Sequence, residues 1–102
     1  MIAHSYFVRQ DQLETYKKHH IGASMMPPHM MVYGDLQMKL LGPARASMES
    51  PLASAMKLNP KTTIHCDCPS ASPNVMEAVW TAVTRQTMSG QVLGPQERIS
   101  PY

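Results

Sequence analysis

Charge is scarce in this 102-residue chain: nine Lys and Arg stand against seven Asp and Glu, 16% of the total, for a formal net charge of +2. Apart from Lys17 and Lys18 the basic residues are scattered, and no aromatics interleave with them. That excludes a nucleic-acid footprint of the basic-stripe kind. Long apolar runs are also missing. None approaches the roughly 20 residues a membrane span requires, so no span is expected. His4, Ser5 and Arg9 break up the N-terminal segment, which denies it the continuous apolar stretch of a secretory leader. Cysteine is limited to Cys66 and Cys68, a spacing too close for a long-range staple and distorting as a disulfide within one strand. These absences point to a reducing, intracellular and cytoplasmic setting. Glycine-rich phosphate loops, zinc-protease helix motifs and internal repeats do not occur, so nucleotide binding has no support.

What the chain has in excess is methionine, ten residues in all. Met25, Met26, Met30 and Met31 surround Pro27, Pro28 and His29. Soft thioethers beside an imidazole form a plausible copper(I) site, a compliant surface for another protein, or gap-filling packing.

Turn signals and periodicity divide the chain. Residues 2 to 8 are rich in strand formers. Asp11, with Glu14 at capping-box spacing, begins a helix whose apolar face carries Leu13, Tyr16, Lys17 and His20 and which stops at Gly22. Residues 23 to 28 read as a loop. From His29 to Leu41 the apolar residues Met30, Val32, Leu36, Met38 and Leu40 alternate with polar ones, which predicts one long strand or a hairpin turning at Gly34-Asp35. Ser50-Pro51 opens a short helix to about Leu58, and Lys61 to Cys68 predicts a strand with its cysteines inward. Ser72-Pro73 opens another helix with a wide stripe of Val75, Met76, Val79, Trp80 and Val83, continuing to Met88. A very short strand at Val92-Leu93 precedes the final residues.

This order predicts a small single α+β domain over residues 1 to 93, with 94 to 102 as an extended C-terminal tail. A ferredoxin-like split β-α-β sandwich is the preferred architecture, and a small parallel α/β sheet is the alternative.

Three groups could carry chemistry. The first is Met25, Met26, Pro27, Pro28, His29, Met30 and Met31, as a partner-binding loop or a soft-metal site. The second is His65-Cys66-Asp67-Cys68, where a Cys-x-Cys pair falls short of the four ligands of a structural zinc site. On a strand, His65 and Asp67 point away from the two cysteines. The third is Cys68 as a nucleophile before a helix N-terminus, although the Pro69 to Pro73 loop lacks the glycine and arginine that phosphoryl chemistry needs. Lys17, Lys18, His19 and His20 are read as a solvated face near a helix end.

The expectation that asks least is an accessory or adaptor protein without catalytic residues or cofactor. It would bind a protein partner, or a second copy of itself, through the methionine-rich loop and the proline-containing tail. One alternative is copper or zinc binding by His29, His65, Cys66 and Cys68. The other is a small ferredoxin-like enzyme with His4, His20 or His65 as acid or base.

Overall fold

The computed structural model describes residues 1 to 102. Helix α1, Gln10–Lys18, is capped at Arg9, two residues earlier than the Asp11–Glu14 spacing predicts. Gln12 Oε1 accepts from the Arg9 amide at 3.0 Å, while the Arg9 guanidinium forks onto the Asp11 carboxylate at 2.8 and 2.9 Å. Leu13 is the residue that α1 buries.

Strand β1 is Ser24–Met25, and helix α2 follows at once over Pro27–Leu41. Here the expected strand or hairpin is corrected. Proline in the first two helical positions costs no hydrogen bond and presets the backbone dihedral, and the residues that follow are mostly good helix formers. Met30, Gly34 and Gln37 recur at helical spacing on the buried face, while Leu36 and Leu40 lie outside. The even-numbered alternation was therefore a coincidence within a mostly apolar helix. Gly42, at φ 77, ends α2, and Pro43 prevents its continuation. A single-turn helix α3, Pro43–Ala46, and helix α4, Leu52–Leu58, come next.

Strand β2 is only Thr63–Ile64, and it pairs parallel to β1 with Ser24 opposite Thr63 and Met25 opposite Ile64. Ile2 makes a parallel bridge to Ala23 on the other edge of β1. Hydrogen bonds from Ser24 N to Ile2 O, Thr63 N to Ala23 O and His65 N to Met25 O, all 2.9 Å, tie the three segments together. The predicted strand over residues 2 to 8 shrinks to that bridge, because His4 and Ser5 turn away at positive φ.

With parallel pairing and a helix where the hairpin would lie, the ferredoxin-like sandwich is not supported. The chain is a set of helices around a small two-stranded parallel sheet. Its core gathers Val8, Leu13, Leu52, Ala55 and Ala82 with Met25 of β1 and the adjoining Ala23.

Helix α5, Val75–Thr84, starts at Asn74, whose side-chain oxygen accepts from the amides of Met76 and Glu77. It ends at Arg85, at φ 56, well before the Ser89-Gly90 stop that the sequence suggests. The buried face is Ala78, Thr81 and Ala82, whereas Val75, Met76 and Trp80 of the expected core stripe are exposed. In the last residues, Gln86 bridges to Val92 and Pro95–Glu97 forms one 3-10 turn. Glu97 accepts from the amide and hydroxyl of Ser54 at 2.9 and 2.6 Å. No helix is long and apolar enough to cross a membrane.

Candidate metal centre

The three parallel segments deliver the residues that follow them to one edge of the sheet. Ile2 leads to His4, Met25 leads to Pro27, Pro28 and His29, and Ile64 leads to His65 and Asp67. At the carboxyl ends of parallel strands the backbone leaves its ladder, and side chains from separate segments are free to converge.

Here they do converge. His4 Nδ1 lies 2.9 Å from His65 Nε2, and one donor atom each from His4, His65 and Asp67 all fall within 4.8 Å of one another. The placement requires unusual backbone. His4 has φ 68, Ser5 φ 37 and Asp67 φ 55, and a non-glycine residue in that region costs roughly 1–2 kcal/mol. Strain of this kind concentrates at functional sites, where surrounding structure holds it in place.

The far side of the His65 ring is also fixed. Its Nδ1 lies 2.9 Å from Oγ of Ser24, a buried residue of β1. In the tautomer with its proton on Nδ1 the ring donates to that hydroxyl and leaves Nε2 free toward the cluster, an arrangement that orients ligand histidines in metal sites. Burial, and then the neighbouring His4, push the His65 pKa down, against the opposing pull of Asp67. Both effects favour the neutral ring, the form a ligand must take.

A column of rings runs on from this cluster. His65 and His4 have centroids 4.9 Å apart, His4 stacks on Tyr6 at 5.5 Å, Tyr6 stacks on His29 at 4.2 Å, and His29 meets Tyr33 at 4.6 Å. The Tyr6 hydroxyl donates to Met26 Sδ at 3.2 Å, and burial, with help from Asp67 and Glu49, raises its pKa. Within the column His29 Nδ1 sits 2.7 Å from Glu49 Oε1, and Gln37 Nε2 approaches both at 3.4 Å.

Of the residues singled out by sequence, Met25, Met26, Pro27, Pro28 and Met30 are buried, and Met31 and His29 are partly so. His65 joins the cluster. Cys66 is half-buried and Cys68 exposed, both as free thiols, which corrects the inward placement expected of them. Neither cysteine belongs to the His4, His65 and Asp67 group, and His29 sits apart from it in its own pair with Glu49. Asp67 stood in the His65 to Cys68 group that the sequence offers, without being assigned as a ligand, and Glu49 was not singled out. A signal for Asp67 existed, since His65-x-Asp67 places both side chains on one strand face.

The amidohydrolase family model matches residues 1 to 102. The chain belongs to the amidohydrolase family. Two solved structures resemble this amidohydrolase chain. One is an uncharacterized metal-dependent hydrolase from Pyrococcus horikoshii OT3, with TM-score 0.80 and 24% identity over 96% of this chain and 20% of that one. The other is an uncharacterized metal-dependent hydrolase from Pyrococcus furiosus, with TM-score 0.72 and 25% identity over 97% of this chain and 20% of that one. The chain spans about a fifth of the length of either structure. No curated protein matches it. Family membership overturns the accessory or adaptor role expected from composition. The methionines that suggested a sticky surface are largely packing beneath the sheet edge.

Proposed function

We propose that the chain supplies part of the active site of a metal-dependent hydrolase acting on amide-type C–N bonds, with His4, His65 and Asp67 as ligands for a divalent metal ion. The observation that carries this reading is the convergence of those three donors at the carboxyl ends of parallel segments.

The donor set fits the ion. Two imidazole nitrogens and a carboxylate oxygen are the ligand types of catalytic zinc sites, which keep three protein ligands and leave a position open. Asp67 is exposed and the histidines are partly buried, so the group is open on one side. When bound, the ion supplies Lewis acidity to a carbonyl oxygen.

The chain's own residues do the rest. Ser24 holds the His65 ring in one orientation. The turned backbone at His4 and Asp67 fixes their side chains before anything binds, so little order is lost on binding. Tyr6, stacked on His4, covers one flank of the site.

The reading is tested by stripping the intact protein with chelator, restoring zinc, and assaying a panel of simple amides, cyclic imides and N-acyl amino acids. Hydrolysis that needs the restored metal, and that fails in His4→Ala and Asp67→Asn, is the expected result. Hydrolysis surviving in the stripped protein would overturn it.

A further inference from the structure

Glu49 is a titratable side chain with no exposed surface, and the metal site makes no use of it. One oxygen, Oε1, takes His29 Nδ1 at 2.7 Å, while Oε2 is buried without a partner, as is Oε1 of Gln37. A buried carboxylate is expensive to keep. The backbone around it is held in place by a second side chain. The Arg85 guanidinium, itself buried, donates to the carbonyls of Ser47, Glu49 and Ser50 in the segment that carries Glu49, and to that of Leu93, tying the two segments together. The Glu49 oxygen that meets His29 is thereby held in place.

When the His29 ring carries one proton, on Nδ1, and gives it to Glu49, Nε2 is left as an acceptor. That atom has no partner within the chain and is not buried. His29 stands in the first turn of α2, on the same sheet edge as the metal ligands, and one ring, Tyr6, separates it from His4. The two ring nitrogens of the partly exposed His29 stand in different surroundings. Here one is fixed by a buried acid and the other offered outward.

We infer that His29 Nε2 is a substrate-recognition group of the hydrolase site, accepting a hydrogen bond from an N–H or O–H of the substrate that lies one ring's width from the scissile bond, with Glu49 as its positioning residue. This rests on the metal-dependent reading above. It specifies the substrate class as amides carrying a second donor group, such as an N-acylamino side amide, rather than simple acetamides.

The test uses two hydroxamates, which chelate divalent metal, added to the zinc-loaded intact protein. Acetohydroxamate has no second amide; N-acetylglycine hydroxamate has one. In His29→Asn the new amide replaces Nδ1 toward Glu49 but leaves nothing at the Nε2 position. N-acetylglycine hydroxamate should bind this variant about tenfold more weakly, the worth of one hydrogen bond. Acetohydroxamate should bind variant and wild type equally, with zinc content and melting temperature unchanged. Glu49→Gln, which keeps an acceptor for Nδ1–H, should retain the preference and the Nδ1–H tautomer in 15N spectra of the imidazole. Glu49→Leu should lose both. Equal binding of N-acetylglycine hydroxamate to wild type and His29→Asn overturns the inference and leaves the metal reading standing. Zinc-loaded wild type that binds neither hydroxamate overturns the metal reading and the inference together.

Discussion

Nδ1 of His29 stands 2.7 Å from Oε1 of Glu49, whose side chain has no exposed surface. Burial raises the Glu49 pKa above its ordinary 4.5, with His29 and then Gln37 and Arg85 pulling the other way. A carboxyl raised in the fold binds its proton more tightly folded than unfolded. Its stabilising contribution is therefore fully present below the unfolded value and is lost as pH rises through the folded one. Glu49→Gln should remove that decline, so urea midpoints measured from about pH 4 to about pH 7 fall less in the variant than in the wild type. Parallel curves would show that Glu49 carries no such shift.

Asp35 has the opposite sign. Thr87 Oγ1 and Ser89 Oγ each donate to it at 2.7 Å, and these bonds hold its carboxyl below the ordinary 3.8. The stability it contributes is present above the unfolded value and is lost as pH falls through the folded one. Asp35→Asn should weaken the protein at neutral pH and flatten the acid limb of its stability curve, read from thermal melts across that range.

Arg85 tests the support beneath Glu49. Burial draws its pKa down to about 10, with Glu97 and Glu49 opposing, so it remains charged at neutral pH. Arg85→Ala leaves buried carbonyls without donors and should cost about 3–5 kcal/mol in chemical denaturation. Arg85→Lys should recover only part of this, because an ammonium cannot reproduce the planar fork.

Gly34 sets two effects against each other. Alanine in an open helix interior gains ~1 kcal/mol over glycine. A Cβ here, however, would meet Thr87 Cγ2 at 2.7 Å and Leu93 Cδ1 at 2.8 Å, where α2 packs against the segment after α5. Overpacking costs about 1–3 kcal/mol, so Gly34→Ala should lower the melting temperature. A rise would mean that this contact yields freely.

Some of this was legible in the sequence. Ser50-Pro51 and the Val75 to Val83 stripe mark real helices, α4 and α5, and residues 63 and 64 do form a strand. The misreading of α2 has a physical cause. Pro27-Pro28 signals a loop and a helix start equally well, and an element apolar on most sides satisfies a period of two as readily as one of 3.6. Trp80 misleads for a related reason, since hydrophobic content says that a face wants cover without saying what covers it. His65 and Asp67 were visible as a same-face pair. Their partner His4 lies 61 residues from His65, and only the parallel ladder brings it near. Glu49 carried no local signal at all, because its burial depends on Arg85 from a different helix end.

The central claim is that His4, His65 and Asp67 hold one metal ion. Isothermal titration of chelator-stripped protein with zinc tests it most directly, with mass spectrometry under native conditions to count ions. One zinc per chain in the wild type and in Cys66→Ser/Cys68→Ser, with binding lost in His4→Ala and Asp67→Ala, is the expected result. Zinc bound equally by His4→Ala and Asp67→Ala, or no zinc bound by the wild type, would contradict the account.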